Sequence, residues 1–165
     1  MVLENSAAKI NGKLRYAVNK VSYINPDTPL KLADYFNIPD VFTLNSIKDS
    51  PPAGPAALGT SVLATTLHDF VEIVFQNSES TMQSWHLDGY DFWTVGFGSG
   101  KWNTTLRRRF YNYNDARPDT QSRSAIWPRR YLGQELYVRV WNDERSLYTE
   151  YDIPPNALLC GKAKH

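Results

Sequence analysis

Apolar side chains in this chain recur at every second position over short runs, and each run stops at turn-forming residues. Leu136, Val138 and Val140 alternate with Tyr137, Arg139 and Trp141 before Asn142-Asp143. Val71, Ile73 and Phe75 alternate with Glu72 and Val74 and end at Gln76-Asn77-Ser78. A period of two puts alternate residues on one face of a strand, so both runs read as half-buried strands with the more apolar face on a core. A further strand is expected over Phe92 to Phe97. Leu14 to Val18 and Val21 to Ile24 are rich in β-forming residues and flank Asn19-Lys20, which predicts a hairpin. Strands separated by turn clusters argue for a sandwich or small barrel.

Two segments depart from that pattern. Asp27-Thr28-Pro29 precedes Leu30, Leu32, Ala33 and Phe36. This offers a capping residue, a proline at the first helical position and helical spacing for about two turns. Ser50 to Gly59 holds Pro51, Pro52 and Pro55, which remove backbone donors and fix φ, so the stretch reads as a surface loop. A chain of 165 residues buries roughly two thirds of its unfolded surface, enough for one sizeable core and one domain over residues 1–165. With 42% hydrophobic and 13% aromatic residues it is too apolar for a disordered chain.

Several function classes fall away. A net charge of +1 offers no global attraction to nucleic acid or to an anionic membrane. No run approaches the roughly eighteen apolar residues of a transmembrane helix, and Met1 to Ser6 has neither a cationic nor an apolar signal-peptide region. Cys160 is the only cysteine, which rules out an internal disulfide and any multi-cysteine zinc site. Gly96-Phe97-Gly98-Ser99-Gly100-Lys101 resembles a phosphate loop superficially, but Val95 stands at its first glycine position and Trp102 where a magnesium-binding hydroxyl is needed. These glycines serve a turn or bulge. His68, His86 and His165 are too few for a histidine-built metal cluster, and a nucleophilic Cys160 would need His68 or His86 brought to it by the fold.

Between Lys101 and Arg130 stand Lys101, Arg107, Arg108, Arg109, Arg117, Arg123, Arg129 and Arg130 against only Asp115 and Asp119. The segment is either a solvated basic loop or a polyanion site with Tyr111, Tyr113 and Trp127 as stacking faces. Asn103-Thr104-Thr105 is a glycosylation acceptor if the chain is exported.

The run Gln83-Ser84-Trp85-His86-Leu87-Asp88-Gly89-Tyr90-Asp91-Phe92-Trp93 resembles a copper-binding segment of plant multicopper oxidases, His-Pro-Trp-His-Leu-His-Gly-His-Asp-Phe-Trp. The likeness extends through Ile10-Asn11-Gly12-Lys13, Asn25 to Pro29 and Phe75-Gln76-Asn77 to the ending Pro154 to Gly161, nearly the whole chain. It is strongest to the pollen-enriched ascorbate-oxidase-homologue and skewed-growth branch. The resemblance implies an all-β, cupredoxin-like Greek-key β-sandwich with a short helix, the C-terminal domain of a longer protein. It further implies copper as cofactor, oxidoreductase activity, and secretion as a glycoprotein of the cell wall and plasma-membrane surface.

In that family the first histidine of the segment holds the electron-transfer copper, and the second and third hold the oxygen-reducing cluster. Those positions here are Gln83, His86 and Asp88, so His86 is the remnant copper-ligand position and the other two are degenerate. The His-Cys-His motif that supplies the thiolate is absent from the sequence. Relatives have about two further strands where this chain has a few residues near 115–124. The cysteine corresponding to Cys160 is typically bonded to one of two preceding cupredoxin domains that are missing here. Three readings result: a copper oxidoreductase, which the ligand set argues against; a non-catalytic extracellular module binding a wall polyanion or a protein; and a truncated product without independent function.

Overall fold

A computed structural model describes residues 1–103, 105, 117–118, 126–142 and 152–164. Its elements are mostly short strands with a few helical turns, as an all-β, cupredoxin-like domain requires. Strand β1 (Val2–Ile10) turns back into β2 (Lys13–Val18), and β2 into β3 (Val21–Tyr23). The first turn is Asn11-Gly12 with φ of 52° and 77°. Two consecutive positive φ values give the turn whose twist matches antiparallel strands, and asparagine and glycine tolerate them best. The second turn, Asn19-Lys20, has φ of 44° and 66° and pairs Val18 with Val21, so the expected hairpin forms.

Asn19 makes this corner rigid. It is buried, its Oδ1 accepts from the Glu4 N–H at 2.7 Å, and its Nδ2 donates to the carbonyls of Val2 at 2.8 Å and Lys48 at 3.0 Å.

The helix α1 (Leu30–Tyr35) is present, with a different start from the one expected. Pro29 is the N-cap and no side chain caps the helix. Thr28, buried and adjacent, has its Oγ1 engaged elsewhere: it accepts from the Lys162 N–H at 2.8 Å, tying down the closing 3-10 turn Gly161–Lys164. Strand β4 (Thr43–Leu44) follows, then β5 (Ala57–Gly59), which corrects part of the loop assigned to Ser50–Gly59. Those last three residues lie beyond Pro55 and keep their donors, and they pair in parallel with Val21–Tyr23.

Strand β6 (Ser61–Thr66) lies between β4 and β10 (Tyr137–Trp141), parallel to both. The expected strand ending at Trp141 is therefore present, although Val138 is exposed on it. The expected strand over 71–75 contracts to β7 (Val74–Gln76), because its partner β1 runs parallel and begins at Val2, opposite Val74. Among the described residues, no strand pairs with 71–73. The strand expected over 92–97 contracts to β8 (Trp93–Thr94), paired with β9 (Arg117–Pro118). Pro118 brings no N–H, and the glycines after Val95 favour turns. A second helix, α2 (Ile126–Tyr131), precedes β10.

The sheets are thus β5-β3-β2-β1-β7, β10-β6-β4 and the two-stranded β8-β9. Leu3 and Val18 of the first sheet and Leu63 of the second meet over Ile47 in one core, flanked by Met1, Val21, Ile73, Trp85 and Leu136. That shared core makes the two larger sheets a sandwich. The segment near 115–124, where strands are expected to be missing, lies outside the described residues apart from the backbone of β9.

Candidate functional site

The segment after β7 carries the three ligand positions, and α2 with the turn behind it carries their neighbours. Gln83 is held at both ends of its amide: Nε2 donates to Glu79 Oε2 at 2.8 Å, and Oε1 accepts from Gln134 Nε2 at 3.1 Å. The same Glu79 oxygen accepts from Arg129 Nη1 at 2.8 Å, while Arg129 Nη2 donates to Thr81 Oγ1 at 2.9 Å. The Arg129 guanidinium also lies 4.6 Å from the centroid of the Tyr16 ring. Glu79 and Arg129 are each about one-fifth exposed, so water screens this pair far less than a surface ion pair. The arrangement fastens α2 to the 79–83 segment and to β2.

His86 and Asp88 meet each other. His86 Nε2 is 2.6 Å from Asp88 Oδ1, and the Asp88 carboxylate is largely in water. Its other oxygen stands 4.0 Å from Arg130, whose main partner is Glu135 at 2.9 Å. The hydrogen bond to Glu135 raises the Arg130 pKa. Beyond it, Tyr137 and Tyr23 lie with ring centroids 5.2 Å apart. Burial raises the pKa of both phenols, with Glu135 adding to the effect by its charge. Among the described residues no three of His, Cys, Asp and Glu gather as a metal site would need.

The other candidate residues are dispersed. His68 sits at φ 70° in the turn after β6, and Cys160 is exposed; neither is hydrogen-bonded to the other. Asn103 is exposed, and its Oδ1 accepts from both the N–H and the hydroxyl of Thr105 at 2.9 Å. Of the basic segment, Arg129 and Arg130 are consumed by ion pairs and Lys101 is exposed. Arg107, Arg108, Arg109, Arg123, Tyr111, Tyr113, Asp115, Asp119 and His165 lie outside the described residues, as do the side chains of Arg117 and Trp127. Glu79, Thr81, Gln134 and Glu135, which sequence reasoning leaves out, complete the site. Gln134 meets Gln83, and Arg129 meets Glu79 and Thr81, across some fifty residues, which leaves no local pattern.

A family model described as multicopper oxidase matches residues 27–126. The chain belongs to the multicopper oxidase family. It is 41% identical over 189 positions to an L-ascorbate oxidase homolog of Brassica napus, covering 99% of this chain and 34% of that relative. It is 38% identical to a monocopper oxidase-like protein of Arabidopsis thaliana, over 92% of this chain and 29% of the relative. The likeness to the L-ascorbate oxidase of Cucumis sativus is 33% over 78% of this chain. The chain thus spans about a third of the length of the first two. The Brassica alignment runs over 189 positions against 165 residues here, so this multicopper-oxidase relative carries stretches with no counterpart in the chain. No helix among the described residues is long and apolar enough to cross a membrane.

Proposed function

We propose that this chain is a non-catalytic member of the multicopper oxidase family that holds no copper at the segment from Gln83 to Asp88. The observation that carries the reading is the engagement of Gln83 with Glu79 and Gln134. An amide is a poor cupric ligand beside imidazole, and this one is already satisfied on both sides. His86 is the remaining imidazole, with Nε2 turned to Asp88. One imidazole and one carboxylate do not supply the nitrogen-rich field of a copper cluster, so no electron-transfer step is assigned to these residues.

The chain acts instead as an extracellular module of the plant surface, within a longer protein whose preceding domains supply a partner for Cys160. Exposure of Asn103 and its hydrogen bonds to Thr105 support glycosylation at this sequon. The pairing of Arg129 and Arg130 leaves Lys101 and the cations of 107–123 as the candidates for a wall polyanion.

Metal analysis of purified protein after incubation with cuprous and cupric ions tests the first reading. Less than a tenth of an equivalent of copper, no blue absorption band and no copper-dependent oxygen uptake are expected. One tightly bound copper lost in His86→Ala would overturn it.

A further inference from the structure

Residues of the 70–76, 83–87 and 92–102 segments enclose a cavity of about 600 Å³. That size is typical of sites that take a small organic molecule. Its floor is fixed: the rings of Phe75 and Trp85 stack with centroids 4.7 Å apart and planes at 25°, and Trp85 packs on the core. Its rim is aromatic and wet, with Phe70 88%, Trp93 63% and Phe97 90% exposed. Aromatic rings left in water around a concavity mark a surface made to be covered.

Polar residues of the lining include Gln76, Gln83, Ser99 and Lys101. The backbone N–H of Trp102 donates to Gln76 Oε1 at 3.0 Å, which fixes the neighbouring Lys101 beside β7. Lys101 is exposed and makes no ion pair among the described residues. Among the described residues, the other charged residue of the lining is Glu72, which has an interaction partner. Lys101 is thus an exposed cation of the described lining, which has Glu72 as its anion.

We propose that the cavity binds a small planar aromatic acid, with its ring on Trp85 and Phe75, covered by Trp93 and Phe97, and its carboxylate at Lys101. Stacked rings favour a flat π-system over a sugar, whose hydroxyls need several convergent donors and acceptors. The ammonium selects an anion over a neutral analogue. The site uses neither His86 nor copper, although Gln83 is among its lining residues.

The full chain is titrated in the presence of a chelator with cinnamate and with neutral cinnamamide, following tryptophan fluorescence and confirming by calorimetry. Cinnamate is expected to bind at least about fivefold tighter than cinnamamide, the scale of a partly exposed charge pair. Lys101→Met, at an exposed position, is expected to abolish that preference while leaving cinnamamide binding and the unfolding temperature unchanged. Trp93→Ala is expected to weaken both ligands. No saturable binding of either compound to folded protein, or a cinnamate preference untouched by Lys101→Met, would overturn the proposal.

Discussion

Replacing Asn19 by glycine isolates the contribution of one side chain to the corner of the main sheet. Glycine accepts the φ of 44° without strain, so the backbone is not what changes. Three hydrogen bonds are lost, leaving the Glu4 N–H and the Val2 and Lys48 carbonyls without their partner. Each unmet group costs about 1–3 kcal/mol when buried. Lys48 is exposed and water can serve its carbonyl, so the sum is set near the lower end, about 3 kcal/mol. For a domain of this size that is a fall of about 6–12 °C in Tm. Circular dichroism melting of Asn19→Gly beside the parent chain measures it. Asn19→Asp keeps the acceptor for Glu4 but turns an oxygen towards two carbonyls, and its loss is expected to be larger near neutral pH. A Tm within about 2 °C of the parent for Asn19→Gly would refute the reasoning, because the three bonds would then have no net weight.

Asn5 gives the opposite expectation: it is fully buried and neither amide atom has a partner, so Asn5→Leu should raise stability by about 1–3 kcal/mol, read from urea midpoints. Gly133→Ala should prevent stable folding, since φ is 104° and a Cβ would collide with Ser22 Oγ and come within 2.9 Å of the Tyr16 carbonyl; limited proteolysis reports it. Arg129→Ala leaves the Glu79 carboxylate without its cation and should cost about 2–3 kcal/mol with loosening of α2, visible as faster amide exchange over 126–131. Tyr23 and Tyr137 have pKa values raised above 10.0 by burial, so the folded state holds their protons more tightly than the unfolded chain. The stability this provides is complete below pH 10 and is lost as pH rises through the folded pKa values; the pH slope of the urea midpoint should flatten in Tyr137→Phe.

How much of this was legible in the sequence follows from the range of the interactions. The Asn19-Lys20 hairpin and β10 rest on local alternation and turn chemistry, and both are found. Strand β1 contains Glu4, Asn5, Ser6 and Lys9, which break the apolar period, so only the Asn11-Gly12 pair announces it. Strands β5 and β6 escape because they are held by parallel partners far along the chain, which no window of sequence contains. At the site, the ligand positions Gln83, His86 and Asp88 were legible by resemblance. That Gln83 is clasped by Glu79 and Gln134 was not, because the three meet only when α2 docks. Of the cations between Lys101 and Arg130, Arg129 and Arg130 find carboxylates at positions 79 and 135.

The parallel pairings also bear on how the chain reaches this structure. Strand β10 zips onto β6 from Val62↔Tyr137 to Thr66↔Trp141, and the Lys162 N–H reaches Thr28 across 134 residues of sequence. Such contacts require large loops to close before any ladder bond rewards them, which slows the search. On the ribosome the first hairpins can form as they emerge, but β6 must wait with an open edge until β10 is made. During that interval the backbone edge of β6 from Val62 to Thr66 faces solvent or another nascent chain. The yield of soluble protein should therefore respond to translation speed and to chaperones more than its final stability suggests.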